Sequence, residues 1–269
     1  MKMYNYGFIG SGNMGGALLK AVCKKTTGND TAVYDKDFKR AENAAPENGC
    51  QAVNCETVVK NSKFLFLGVK PQVLPFLMSE ISPILKQNKN CVLVTMAAGV
   101  SIERLTEMCG FDCPIIRIMP NTPVSIGKGM ILYTVNKYVA DDIKTEFIDA
   151  LEFAGDLDEI PENLIDAASC ISGCGPAFVY MFTDALADGG VNAGLPRDKA
   201  LKYAVKTVLG SAGLIESSDR HPEKLKNDVC SPAGSTIEGV KHLEDKAFRS
   251  AVMGAVMKAF DRTKELGKK

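Results

Sequence analysis

Apolar residues along this chain follow two rhythms. In the first half, short and nearly continuous apolar runs at 6–9, 31–34, 64–69, 91–96 and 115–119 alternate with helical patterns at 13–25, 36–49, 72–87 and 101–109. Runs that are apolar at every position suit parallel strands covered on both faces, and the longer segments between them suit crossover helices. A further run at 129–133 is expected to close the sheet, followed by a helix at 139–154 and a short strand at 157–160. Right-handed crossovers then predict a doubly wound sheet that takes ligands at the carboxyl ends of its strands. From Glu162 onward the pattern is helical, over 163–171, 176–192, 197–216, 222–228, 232–242 and 246–265. Pro176 and Pro196 stand where a first-turn proline is tolerated. The expected fold is α/β, with an N-terminal dinucleotide-binding domain at 1–161 and an all-helical domain at 162–269. The stripe Phe248, Val252, Met253, Val256, Met257, Phe260 exceeds what one small domain can cover, so part of it is expected to bury against a second chain. Lys268-Lys269 reads as a solvated tail.

The first strand runs into a glycine turn. Gly10, Gly12 and Gly15 fit G-x-G-x-x-G after a strand and at the start of a helix, the setting a Rossmann fingerprint requires. Gly10 permits the tight turn, Gly12 lets a pyrophosphate approach the backbone, and Gly15 allows close helix–strand packing. The amides of Ser11 to Met14 lie near a helix N-terminus, which favours bound phosphate. Asp35 ends the second strand twenty residues after Gly15, where a carboxylate meets the adenosine ribose of a dinucleotide.

Composition narrows the alternatives. Lys plus Arg equals Asp plus Glu at 32 each, which gives no overall electrostatic case for nucleic acid or an anionic membrane. No apolar run reads as long as a membrane span, and residues 1–6 lead directly into the first strand, which argues against a signal peptide. The nine cysteines include no C-x-x-C pair, and Cys109/Cys113 and Cys170/Cys174 have C-x3-C spacing with neither histidine nearby. Neither a disulfide framework nor a metal site is expected; reduced thiols in the cytoplasm fit better.

Three loops after strands converge on the expected crevice: Val69-Lys70-Pro71-Gln72, Met96-Ala97-Ala98-Gly99-Val100 and Arg117-Ile118-Met119-Pro120-Asn121-Thr122-Pro123. Small residues let backbone groups reach a nicotinamide ring, prolines stiffen the loops, and Lys70 can neutralise phosphate or ribose oxygens. The helical half carries Ser172-Gly173-Cys174-Gly175-Pro176 and Cys230-Ser231-Pro232-Ala233-Gly234-Ser235-Thr236. Ser231 is a plausible N-cap, and the free amides behind it offer an anion pocket for a small carboxylate; an ordinary capped helix start fits the same residues.

The glycine loop, VKPQ, MAAGV, RIMPNTP, SGCGPAF and SPAGSTIEG occur in this order and closely resemble the pyrroline-5-carboxylate reductases. The resemblance covers essentially the whole chain. It implies a Rossmann domain, a helical domain that interlocks two protomers, and in many members a decamer of five dimers. The implied reaction reduces the cyclic imine 1-pyrroline-5-carboxylate to L-proline with NADPH or NADH, the last step of proline biosynthesis. By the same resemblance Gly7, Phe8, Ile9, Gly10, Ser11 and Gly12, with Asn13 and Met14, hold the pyrophosphate. Asn54 lies near the adenosine ribose, while Val69, Lys70, Pro71, Ala97 and Asn121 line the cofactor groove. Asp228 sits by the nicotinamide amide. Glu162 and the loop containing Ser231, Gly234, Ser235 and Thr236 meet the substrate, with the Thr236 hydroxyl as the catalytic contact to the ring nitrogen. The chain departs from the commonest pattern at Ala233, where glycine is usual, and at Cys174, where serine is usual.

Two other classes remain open on the residues alone. A reductase of the beta-hydroxyacid dehydrogenase kind needs a lysine on the first long helix of its second domain, and 176–191 contains none. A non-catalytic dinucleotide sensor would have no use for an intact SPAGST loop.

Overall fold

The computed structural model describes residues 2–26 and 28–267; the Lys268-Lys269 tail lies outside them. Residues up to Cys174, with those from Ala259 onward, form one unit, and Gly175–Lys258 forms the other.

In the first unit, β1 (Tyr4–Ile9), α1 (Asn13–Thr26), β2 (Thr31–Tyr34) and α2 (Phe38–Asn48) follow the expected pattern. They lead to β3 (Gln51–Ala52), α3 (Cys55–Asn61), β4 (Ser62–Leu67), α4 (Leu74–Leu85), β5 (Val92–Thr95), α5 (Ile102–Cys109) and β6 (Ile115–Met119). Next come β7 (Gly129–Val135), α6 (Asp141–Ala150), β8 (Gly155–Glu159) and α7 (Glu162–Ser172). The strand order is β3-β2-β1-β4-β5-β6-β7-β8, so the topological switch falls between β1 and β4, and a crevice opens at their carboxyl ends.

Alternation along the strands feeds two cores. Phe8, Phe64, Phe66, Val94 and Ile118 belong to one, with Leu18, Leu19 and Val22 of α1. Ile9, Leu65, Leu67 and Leu93 belong to the other, with Leu77, Met78 and Ile81 of α4. Both faces are covered, which is why these strands are apolar at every position. Phe8 stacks on Phe66 with ring centroids 4.5 Å apart, an aromatic pair across neighbouring strands.

The sheet departs from the sequence expectation in two places. β7 runs antiparallel to β6. The connection between them, residues 120–128, forms only a short 3-10 turn at Thr122–Ile126 and is too short for a parallel crossover. The pair β3 and α3 was not expected because two strand residues carry no period; the local signal is Asn54, whose Oδ1 accepts the Thr57 amide at 2.8 Å as an N-cap.

The expected division after residue 161 differs from the structural units, which part after Cys174. Two polar ties bind α7 to the sheet. Arg117 of β6 pairs with Glu162 at 3.3 Å and Asp166 at 2.5 Å, and Asn121 Nδ2 donates to the Ser172 carbonyl at 2.9 Å.

The second unit contains α8 (Gly175–Asn192), α9 (Arg197–Glu216), α10 (Pro222–Asp228), α11 (Ser235–Asp245) and the first part of α12 (Phe248–Gly267). Its buried apolar cluster is small, with Ala187, Ala200 and Ala204 at its centre. Tyr180, Met181, Leu209, Phe248, Val252, Met253 and Met257 are exposed. This surplus also corrects an expectation: Glu162–Asn192 is long and apolar enough to cross a membrane by length and composition.

The Arg117 node yields an asymmetric prediction. Arg117 is 3% exposed whereas the Glu162 and Asp166 side chains are 34% and 31% exposed. Removing both acids by Glu162→Ala and Asp166→Ala strands a buried guanidinium and is expected to cost about 3–5 kcal/mol. Arg117→Met leaves two carboxylates that water can reach and is expected to cost less. Denaturant unfolding midpoints compare the two; a larger loss for Arg117→Met would overturn the reading.

Candidate active site

The glycine turn is built by backbone contact. Gly10 has φ +98°, and a Cβ there would lie 2.6 Å from the Gly68 carbonyl oxygen. A Cβ on Gly15 would lie 2.2 Å from the Gly10 oxygen, and one on Gly68 2.7 Å from that same oxygen. The Gly68 amide donates to the Ile9 carbonyl at 2.8 Å, and the Gly10 amide to the Tyr34 carbonyl at 2.8 Å. Three glycines thus bring β1, α1 and the end of β4 together with no space for a side chain. Gly12 differs: a Cβ there would meet nothing within 4 Å. The open side of Gly12, at the N-terminus of a 14-residue helix, fits a dinucleotide pyrophosphate.

The expected cofactor residues fall into distinct places. Gly7, Phe8 and Ile9 lie inside β1, with Phe8 and Ile9 buried in the two cores. A Cβ on Gly7 would come within 2.1 Å of Ser62 Oγ. These three therefore carry the loop and present no side chain to a pyrophosphate. Ser11 and Asp35 are brought together. The Ser11 amide and hydroxyl both donate to Asp35 Oδ2, at 2.8 and 3.0 Å, and Asp35 Oδ1 accepts the Asp37 amide at 3.0 Å. Asn13 is exposed and Met14 half-buried at the start of α1.

After β4, Lys70 is exposed, and its carbonyl accepts the Val73 amide at 2.9 Å. Val69 packs at the edge of the second core, and the Pro71 carbonyl accepts from Leu74 at 3.3 Å. Ala97 is buried, so it presents backbone and not side chain. Its carbonyl accepts Val100 N–H at 3.3 Å, and Gly99, at φ +74°, turns the loop. The carboxamide oxygen of Asn54 is committed to capping α3.

Two expected site residues carry internal hydrogen bonds. The Asn121 side chain is buried and doubly used, donating to Ser172 and accepting the Met130 amide at 2.9 Å. It ties the two loops together. Glu162 Oε1 accepts the Ile102 amide at 2.7 Å and faces Arg117. The register sets Glu159 level with Tyr133, and Tyr133 level with Ile118. The Glu162 carboxylate is engaged within the first unit, at the N-terminus of α5 and opposite Arg117.

In the second unit, Asp228 ends α10 and pairs with Arg220. The SPAGST loop differs from expectation in one respect. Ser231 is not the N-cap of α11; Gly234 is, and it offers no side-chain hydrogen bond. The reason is a turn in which the Gly234 amide donates to the Ser231 carbonyl at 3.0 Å while Ala233 takes φ +56°. This turn delays the helix to Ser235. A glycine cap leaves the first amides of α11 without a side-chain acceptor, and Thr236 stands exposed in that first turn. Such an end suits a carboxylate.

Residues 162–266 match the family model described as pyrroline-5-carboxylate reductase dimerisation, and residues 5–99 match that of the coenzyme F420-dependent NADP oxidoreductases. A pyrroline-5-carboxylate reductase of Synechocystis is 40% identical over 98% of both chains, and one of Escherichia coli is 36% identical over 97% of this chain and 98% of its own. The chain belongs to the pyrroline-5-carboxylate reductase family. Among solved structures, the Plasmodium falciparum pyrroline carboxylate reductase with NADP bound superposes with a TM-score of 0.89 at 31% identity, covering 99% of each chain. Family membership accounts for the apolar surplus of the helical half, since the matched stretch is a dimerisation region. Gly68 is the site residue that sequence reasoning passed over; a glycine directly after Phe64-Leu65-Phe66-Leu67 was its signal.

The glycines separate in a testable way. Gly12→Ala is expected to leave thermal stability unchanged and to weaken dinucleotide binding at least about tenfold, since its Cβ enters only the ligand's space. Gly15→Ala drives a Cβ into the Gly10 carbonyl and is expected to lower both. Binding by NAD(P)H fluorescence and melting curves distinguish them; equal loss of stability would refute the assignment of Gly12.

Proposed function

We propose that this chain catalyses the final step of proline biosynthesis, reducing 1-pyrroline-5-carboxylate to L-proline with NADPH or NADH. It works as a cytoplasmic homodimer, with five dimers forming a decamer. The observation that carries the reading is a phosphate-ready glycine cradle on the same chain as an uncapped helix start in the SPAGST loop. Nine cysteines with no C-x-x-C pair fit a reducing compartment. The exposed apolar faces of α8, α9 and α12 are read as the protomer interface and not as a membrane or nucleic-acid surface.

The dinucleotide supplies the hydride, and the chain's own work is positioning and polarisation. Gly10, Ser11, Gly12, Asn13 and Met14 hold the pyrophosphate, and Asp35 accepts from the ribose diol. Lys70 supplies a positive charge beside the phosphates or ribose, and the Val69–Pro71 and Ala97–Val100 loops seat the ring with backbone groups. Asn54 borders the ribose at the start of α3, and Asp228 stands by the nicotinamide amide. The amides of Gly234, Ser235 and Thr236, with Ser231, hold the substrate carboxylate. The Thr236 hydroxyl bonds the ring nitrogen, which enters protonated as the iminium and leaves as the amine. No side-chain acid is needed, because the iminium is already electrophilic.

Imine-dependent oxidation of NAD(P)H, followed by absorbance and by proline formation, tests the reading. Dinucleotide binding without turnover would make the chain a sensor. Turnover of a beta-hydroxy acid in place of the imine would make it the other dehydrogenase class, although α8 has no lysine for that chemistry.

Thr236→Ala is expected to lower kcat/KM by a few-fold to about a hundredfold, the range of one hydrogen bond worth about 0.5–3 kcal/mol, with dinucleotide affinity unchanged. Unaltered kinetics would remove Thr236 from the mechanism.

Cofactor choice turns on Asp35, which would repel a 2′-phosphate. Of the cations that follow it, Lys36, Lys39 and Arg40, Arg40 pairs with Asp37 at 3.5 Å, Lys36 lies 6.0 Å from the Phe76 ring centroid, and all three are exposed, where water screens them. NADH is therefore expected to serve at least as efficiently as NADPH, and Asp35→Ser to shift the ratio toward NADPH. A wild-type preference for NADPH of tenfold, about 1.4 kcal/mol, would show that the carboxylate does not govern the choice.

A further inference from the structure

At the foot of the sheet, on the edge opposite the crevice, three cysteines approach one another from three elements. Cys91 precedes β5, Cys109 is the last residue of α5, and Cys113 lies two residues before β6. The Sγ atoms of Cys109 and Cys113 are 4.0 Å apart. Gly110, at φ +74°, ends α5 and turns the chain back, which sets Cys113 over the helix end it has just left. Beside them lies a cavity of about 280 Å³ lined by Lys86, Asn88, Lys89, Cys91, Asp112 and Cys113 among others. Cys113 is half-buried and lines the cavity, whereas Cys109 is buried and does not. The reduction chemistry assigned to the crevice uses none of these thiols.

We infer that Cys113 and Cys109 form a reversible dithiol–disulfide site, with Cys113 as the thiol that attacks a small peroxide entering the cavity and Cys109 as the resolving thiol. In the first step the Cys113 sulfur attacks one oxygen of hydrogen peroxide. The O–O bond breaks, the sulfur becomes a sulfenic acid, and the other oxygen leaves as water after taking up the thiol proton. In the second step Cys109 sulfur attacks Cys113 sulfur, and the sulfenic hydroxyl leaves as water with the Cys109 proton. Two thiols lose two electrons in all, and the peroxide gains them. An accessible thiol poised beside a resolving thiol is the arrangement that favours disulfide over further oxidation.

Local electrostatics agree with the role of Cys113. Hydrogen bonding with Cys109 holds the Cys113 thiol below its ordinary pKa, while the same contact and burial push Cys109 up. Burial also raises Cys91, which suits a bystander. Lys86 and Lys89 line the same cavity, and Asp112 is the opposing charge. Closing the sulfurs to about 2.05 Å asks for a movement of about 2 Å, shared between two side chains and the loop that Gly110 begins. A loop this short returns little chain entropy when closed, so the bond is expected to be readily reduced.

The test is brief treatment of the full-length protein with a small excess of hydrogen peroxide, followed by thiol counting and non-reducing peptide mapping. Two of the nine thiols are expected to disappear, the linked residues to be Cys109 and Cys113, and dithiothreitol to restore both. In Cys109→Ser, a sulfenic acid trapped by dimedone is expected on Cys113; in Cys113→Ser, no linked pair at this site. A disulfide elsewhere with both thiols still free would overturn the proposal, as would nine free thiols or a Cys113 oxidised beyond sulfenic acid in the wild type. The main readout is on the unmutated chain, so it stands even if a variant folds poorly.

Discussion

The rest of the first unit depends on a meeting of bare backbone, where Gly10, Gly15 and Gly68 touch without room for one Cβ among them. A methyl group at any of the three would sit 2.2–2.7 Å from a carbonyl oxygen, which only movement of a strand or of α1 could relieve. The contact joins the two central strands on either side of the switch point to the first helix. It places the helix N-terminus at the crevice and leaves Gly12 as the one fingerprint glycine facing open space. Packing and an open helix start are therefore set by neighbouring glycines of one turn. The aromatic stack of Phe8 on Phe66 and the two cores on either face hold that geometry from below.

A second constraint acts at the far side of the sheet. Arg117 points from a central position of β6 toward α7, where only two carboxylates make its burial tolerable. Its Nε is nonetheless without a hydrogen-bond partner, so the node is incompletely satisfied, and packing of α7 keeps it closed. Glu162 serves twice, opposite the guanidinium and at the first amide of α5. With Asn121 clasping the last turn of α7, this explains why a helix that reads as part of the helical half belongs to the sheet unit.

The SPAGST loop shows a different economy. Ala233 occupies the left-handed region, at φ +56°, at a cost of about 1–2 kcal/mol. The turn it completes keeps Ser231 from capping α11 and hands that place to Gly234. An uncapped helix start is weaker as a helix end and better as an anion seat, and the exposed Thr236 hydroxyl rises from that same turn.

The sequence by itself determined the period of nearly every strand and helix, the glycine fingerprint, Asp35 near the phosphate loop and the family motifs. Each is local: it depends on spacing along one segment and on the torsional freedom of glycine. Only the tertiary structure decided that β7 turns antiparallel, that Gly68 completes the glycine contact and that α7 joins the sheet. It also decided that Glu162 and Asn121 make internal hydrogen bonds. Those outcomes depend on which groups meet across 45 to 60 residues of chain, as Arg117 meets Glu162 and Ile102 meets Glu162. A polar side chain in a motif reads the same whether it faces a ligand or an internal partner, and only its tertiary contacts separate the two.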